Sequence, residues 1–125
     1  MTAKWTTIVP ILSVAAAALL GVACGKERGA EGPMSEGERI SLASGCTACH
    51  GPNGEGGVGP KWKGLYQSQV MLADGSKVVA DDAYLTEAIR DPTAKQVKGY
   101  GPMPPNSLDD AEVQAVVDFI KSLAK

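Results

Sequence analysis

The sequence predicts a small, mainly α-helical domain carrying one β-hairpin. Ser35–Glu38 and Asp109–Glu112 each have the spacing of a helix-capping box and each opens an apolar helical pattern. Asp74-Gly75 stands between two short apolar runs, which is the signal of a hairpin turn. The segments between these elements are rich in glycine and proline, and the chain has no internal repeat. Behind a leader, about 100 residues remain, one domain near the small end of what buries an adequate core.

Residues 1–23 read as a secretory signal of the lipoprotein type. Lys4 is the single charge before Lys26, and Ile8 to Leu20 is an apolar, alanine-rich run. The stretch Leu20-Gly21-Val22-Ala23-Cys24-Gly25 matches a bacterial lipoprotein cleavage box loosely, with Gly21 where leucine is usual. On this reading Cys24 carries the lipid, and the third cysteine of an exported chain acquires a role. Two alternatives stay open: ordinary cleavage after Ala23, which releases a soluble protein, and an uncleaved Trp5–Gly25 membrane anchor. Residues 24–33 then form the lipidated cysteine and a polar, glycine-rich tether.

Residues 34–125 form the folded domain. A helix is expected from Glu36 to about Gly45, capped by Ser35 and presenting Ile40, Leu42 and Ala43. Gly51 to Pro60 holds five glycines and two prolines, which excludes regular structure there. It lacks the Gly-Lys-Ser/Thr of a phosphate loop, so no nucleotide role is assigned. The glycines suit a backbone lying close to a flat group. Residues 69–72 and 76–79 are the hairpin strands. Asp81 or Asp82 caps a helix reaching Arg90 with Tyr84, Leu85, Ala88 and Ile89 inward, and Pro92 stops it. Tyr100 to Pro105 is a stiff extended loop because of its prolines. The last helix carries Val113, Val116, Val117 and Ile120 at helical spacing, with Phe119 beside that stripe.

The most specific feature is Cys46-Thr47-Ala48-Cys49-His50, a C-x-x-C-H pentad of the kind that attaches haem covalently. Two thiols add across the two vinyl groups on one porphyrin edge, and one tight turn presents both sulfurs. The adjacent histidine offers an imidazole nitrogen to the iron. A structural zinc site needs four Cys or His ligands, whereas the chain has three cysteines, one of them in the leader, and one histidine. A thioredoxin-like pair needs a βαβ setting, and a glycine-rich loop follows instead. A disulfide between Cys46 and Cys49 is the remaining alternative in an exported chain. The expected cofactor is therefore a single covalent haem c. Export agrees with it, because attachment needs haem and reduced thiols outside the cytoplasm.

With one histidine in the chain, the sixth iron position falls to a methionine. Met34 lies too close to the first helix to cross to the other haem face, and Met71 lies in a strand as a core or surface residue. Met103, held between Pro102 and Pro104 and 53 residues beyond His50, has the chain length to pass around the ring. Thioether opposite imidazole is an established haem c pairing that raises the potential.

The formal net charge is −2, and removal of the leader with Lys4 makes it −3. Such a chain is no nucleic-acid binder by charge. One phenylalanine, two tryptophans and three tyrosines are a poor aromatic supply for a core, and a buried porphyrin supplies the missing apolar bulk.

From Met34 to Lys125 the chain resembles the class I cytochromes c. The resemblance rests on Gly37 in the first helix, Cys46-Thr47-Ala48-Cys49-His50, Gly59-Pro60, and Met103-Pro104 before the terminal helix. It implies the class I cytochrome c fold, helices around one covalent haem with a small β-hairpin insertion, and a Gly37 that lets the first and last helices cross closely. It also implies that the carbonyl of Pro60 accepts a hydrogen bond from the ligand imidazole of His50 and orients it. Ser41 departs from the family, which usually has an aromatic residue there, so a thinner helix contact near Phe119 is expected. Gly59 to Tyr66, the Asp74-Gly75 hairpin and Asp82 to Pro92 are similar to the cytochrome c domain of haem–copper oxidase subunit II. The copper-binding domain of that subunit is absent, so the resemblance is to the module standing alone.

The expected function is single-electron transfer in a respiratory or photosynthetic chain, not enzymatic catalysis. The expected carrier is tethered to the outer face of the cytoplasmic membrane or in the periplasm. Its partners would be a quinol-oxidising complex or a terminal oxidase, and it would serve as a shuttle or as a subunit. Docking is expected around the haem edge near Cys46, with Lys61, Lys63 and Lys98 on the rim. An iron held on both faces has no vacancy for substrate. The alternative is a peroxidase or small-molecule reductase with an open sixth position, which requires that Met103 does not bind the iron. A gas or redox sensor is a further alternative, though no output domain is present.

Overall fold

The structure is a computed structural model that describes residues 32–124. The leader, Cys24 and most of the tether lie outside the described residues. Element order is α1 (Glu36–Ala43), α2 (Cys46–His50), β1 (Gln69–Met71), β2 (Lys77–Val79), α3 (Asp82–Arg90) and α4 (Asp110–Ser122).

Both expected capping boxes are present. Ser35 Oγ accepts from Glu38 N at 3.2 Å while Glu38 Oε2 accepts from Ser35 N at 3.3 Å. At α4, Asp109 Oδ1 accepts from Glu112 N at 2.9 Å and Glu112 Oε2 accepts from Asp109 N at 3.0 Å. Each box satisfies two of the N–H groups that a helix start leaves unpaired. Asp81, not Asp82, caps α3, accepting from Tyr84 N at 2.8 Å. Asp82 is left free to pair elsewhere.

α1 ends two residues earlier than expected, and its buried face is Gly37, Ile40 and Ser41. Leu42 and Ala43 point outward, Leu42 with 56% of its surface exposed. The reason is the crossing with α4. A Cβ placed on Gly37 would lie 1.9 Å from Ala115 O and 2.7 Å from Phe119 Cβ. The helix therefore turns the face that carries Gly37 to its partner and rolls Leu42 away. Ser41, fully buried, donates its hydroxyl to Gly37 O at 2.7 Å.

β1 and β2 pair antiparallel, with Val70 opposite Val78. Each strand is one residue shorter than expected, since Leu72 instead bridges to Val97 across the following loop. Val113, Val116, Val117, Phe119 and Ile120 of α4 form the centre of the core, where Ile40, Trp62, Leu85 and Ile89 meet them. Among the described residues no helix is long and apolar enough to cross a membrane.

Candidate functional site

The short helix α2 is entered and left by glycines. Gly45 has φ 76° and Gly51 φ 83°, left-handed angles that residues with a Cβ seldom adopt. The chain thereby turns sharply on both sides and isolates one helical turn. Cys46, Cys49 and His50 stand at i, i+3 and i+4 on that turn, which places them on one face. Both thiols are free and half-buried, His50 is buried, and all three line one cavity of about 410 Å³. That volume lies in the ~300–1,000 Å³ range of cofactor and small-ligand sites.

The glycine-rich loop is stitched back onto α2. Gly56 N donates to His50 O at 2.7 Å and Gly59 N to Cys49 O at 2.9 Å. A Cβ on Gly59 would lie 2.8 Å from His50 Cε1, so only glycine lets the loop pass this close to the ring. The loop also brings the Pro60 carbonyl to 2.7 Å from His50 Nδ1. A carbonyl can only accept, so Nδ1 carries the proton and Nε2 keeps the lone pair. Burial pushes the His50 pKa down, against the opposing pull of the Pro60 hydrogen bond. The ring is thus a neutral imidazole with Nε2 available as a donor to a metal. Trp62 stacks on the imidazole at 4.6 Å between centroids, and Phe119 meets Trp62 edge-on at 6.1 Å. Burial likewise raises the Cys46 thiol pKa.

Met103 is half-buried and lines the same cavity, as does Met71 from β1. Met34 is 53% exposed and takes no part in the wall. Lys61 and Lys98 stand on the wall with Lys95, whereas Lys63 does not. Among the described residues no carboxylate lines the cavity. A lining with two free thiols, a neutral imidazole, two thioethers, apolar side chains and, among the described residues, only cationic charge fits a haem, whose propionates are anionic. Haem c would be held through Cys46, Cys49 and His50.

Two features escaped the sequence reading. The stacking of Trp62 on His50 joins residues 12 apart through an irregular loop, and no periodicity marks it. Asn106 accepts from Leu108 N at 3.2 Å and donates Nδ2 to Ile89 O at 2.7 Å. Its position just before a helix start signals the first bond, but nothing local signals the second.

A family model described as cytochrome c matches residues 34–124. The chain belongs to the cytochrome c family, and this domain is a haem-based electron-transfer module carrying covalent haem c. Domains of this family are typically exported. No curated protein matches the chain.

Proposed function

We propose that this protein is a membrane-tethered monohaem cytochrome c that passes single electrons within a respiratory or photosynthetic chain. When bound, haem c supplies a one-electron iron couple whose potential depends on its axial ligands and surroundings. Cys46 and Cys49 would fasten it through thioethers, and His50 Nε2 and Met103 Sδ would hold its iron. Pro60 O holds the His50 proton on Nδ1 and fixes the ring, as outer partners of metal-bound histidines do. With His50 and Met103 both committed as ligands, the protein would leave substrates no site and would support electron exchange, in keeping with a family whose members are usually carriers. The observation that carries this reading is a neutral, carbonyl-oriented His50 lining the same cavity as a proline-clamped Met103.

Lipidation at Cys24 supplies the tether. Gly25 to Pro33 is nine residues, which extend to at most about 30 Å at ~3.3 Å per residue. Partners therefore sit in the same membrane, a quinol-oxidising complex on one side and a terminal oxidase on the other. The likeness of Gly59–Tyr66 and Asp82–Pro92 to the cytochrome c domain of oxidase subunit II supports an oxidase as acceptor. Tethering raises effective concentration, so a small and weak docking face suffices.

The visible spectrum tests the iron ligands. The weak absorption band near the red end that marks methionine–iron ligation is expected in the oxidised protein. Met103→Ala should abolish it, open the iron to carbon monoxide and cyanide, and lower the midpoint potential. Met34→Ala and Met71→Ala should keep the band. Its loss in Met71→Ala would transfer the ligand role to β1.

A further inference from the structure

The segment that carries Met103 is suspended between two side-chain hydrogen bonds. At its entrance Gln96 Nε2 donates to Tyr100 O at 3.1 Å. At its exit Asn106 Nδ2 donates to Ile89 O at 2.7 Å. Between them, residues 101–105 have no backbone hydrogen bond to the rest of the described chain, and Pro102, Pro104 and Pro105 have no N–H to offer. The entrance bond is exposed and spans four residues; the exit bond is partly buried and reaches 17 residues back in the chain. Ile89 is buried in the core, and its carbonyl is among the last in α3, where carbonyls lack helical partners. Asn106 therefore joins the methionine loop to a fixed point of the core three residues from Met103.

We propose that Asn106 is the positioning residue for the sixth iron ligand: its amide, tied to Ile89 O, holds the Met103 loop closed over the cavity. This rests on Met103 being that ligand. The prolines make residues 102–105 a stiff lever, so the loop moves as one piece about its ends. Loss of the Ile89 tie frees one end and raises the fraction of molecules in which Met103 has swung away. An exogenous ligand that binds only the open form then gains apparent affinity in proportion to that fraction.

The two bonds of Asn106 separate cleanly by substitution. Asn106→Ser keeps an acceptor for Leu108 N, but its hydroxyl, one bond nearer the backbone than the amide nitrogen, does not reach Ile89 O; Asn106→Ala loses both. The readout is cyanide affinity of the oxidised holoprotein, with far-UV circular dichroism following thermal unfolding in parallel. Both variants are expected to bind cyanide about fivefold more tightly than the parent, the equivalent of one hydrogen bond of ~1 kcal/mol, while helical content is kept. Unchanged cyanide affinity in Asn106→Ser overturns the proposal, whether or not the unfolding temperature falls, because a merely stabilising residue moves only the latter. Should Asn106→Ala fail to fold, Asn106→Ser decides alone, since it preserves the turn before α4. Met103→Ala is the control. If it leaves both the methionine band and cyanide affinity unchanged, the ligand assignment fails and this proposal falls with it; if it alters them and Asn106→Ser does not, only the positioning role is refuted.

Discussion

Gly37 and Ala115 cross with no room for a side-chain atom: a Cβ on Gly37 would stand 1.9 Å from the Ala115 carbonyl oxygen. The obstruction is backbone, with Phe119 Cβ behind it at 2.7 Å, so no rotamer change relieves it. This contact sets the distance between α1, which leads into the haem-binding turn, and α4, which carries the core.

Gly37→Ala should therefore force the helices apart. Overpacking of this kind costs about 1–3 kcal/mol and sometimes more; the gain from removing a helical glycine, about 1 kcal/mol, offsets only part of it. Denaturant unfolding of the holoprotein should show a lower midpoint. An unchanged midpoint would mean that α1 shifts along α4 at little cost.

Pro60→Ala keeps the carbonyl that His50 uses but removes the ring that fixes the backbone there. The Nδ1 hydrogen bond should lengthen, weakening an interaction of about 1 kcal/mol. Hydrogen bonding at Nδ1 makes the imidazole a more basic ligand, which favours the oxidised iron. Its loss should raise the midpoint potential by tens of mV, on the order of 59 mV per tenfold change for one electron. Haem should stay attached through Cys46 and Cys49. Potentiometry showing no shift would mean that the loop holds the carbonyl without the ring.

Acid should loosen the α3–α4 contact. Lys121 Nζ lies 2.7 Å from Asp82 Oδ2 and 5.3 Å from the centre of the Tyr66 ring. The Asp82 pKa is held below its ordinary value, first by the hydrogen bond from Lys121 and then by Tyr66. A carboxylate with a depressed folded pKa adds stability that is present above its unfolded value, about 3.9. That stability is lost as pH falls through the lower folded value. Asp82→Asn should flatten this limb of the stability–pH curve below about pH 4 and leave its shape near neutrality unchanged. An unaltered acid limb would show that the pair adds nothing, as exposed ion pairs often do.

Cys24→Ser should move the mature protein from the membrane fraction to the soluble fraction with its haem spectrum intact. Mass spectrometry of the N-terminus distinguishes the outcomes. An acylated Cys24 establishes the lipid anchor, an intact Met1 leader a membrane-spanning anchor, and an unmodified Cys24 start a soluble carrier.

Much of this molecule was legible in local sequence because the signals are local. Capping boxes at Ser35 and Asp109 join residues three apart, Asp74-Gly75 specifies its own turn, and Cys46, Cys49 and His50 need only one helical turn to share a face. Pentad and inventory together named the cofactor, since three cysteines and one histidine allow few other sites. Helical spacing says which residues share a face but not which face is turned inward, so Leu42, expected on the inner face, stands exposed. That choice came from the fit of Gly37 against Ala115 and Phe119. The Pro60 carbonyl meets His50 as the family resemblance implies, whereas tertiary structure alone stacked Trp62 on the imidazole and tied Asn106 to Ile89. It also brought Met71 to the cavity that Met103 lines. These contacts pass through irregular segments, where side-chain direction follows no period and is decided only when distant parts of the chain pack together.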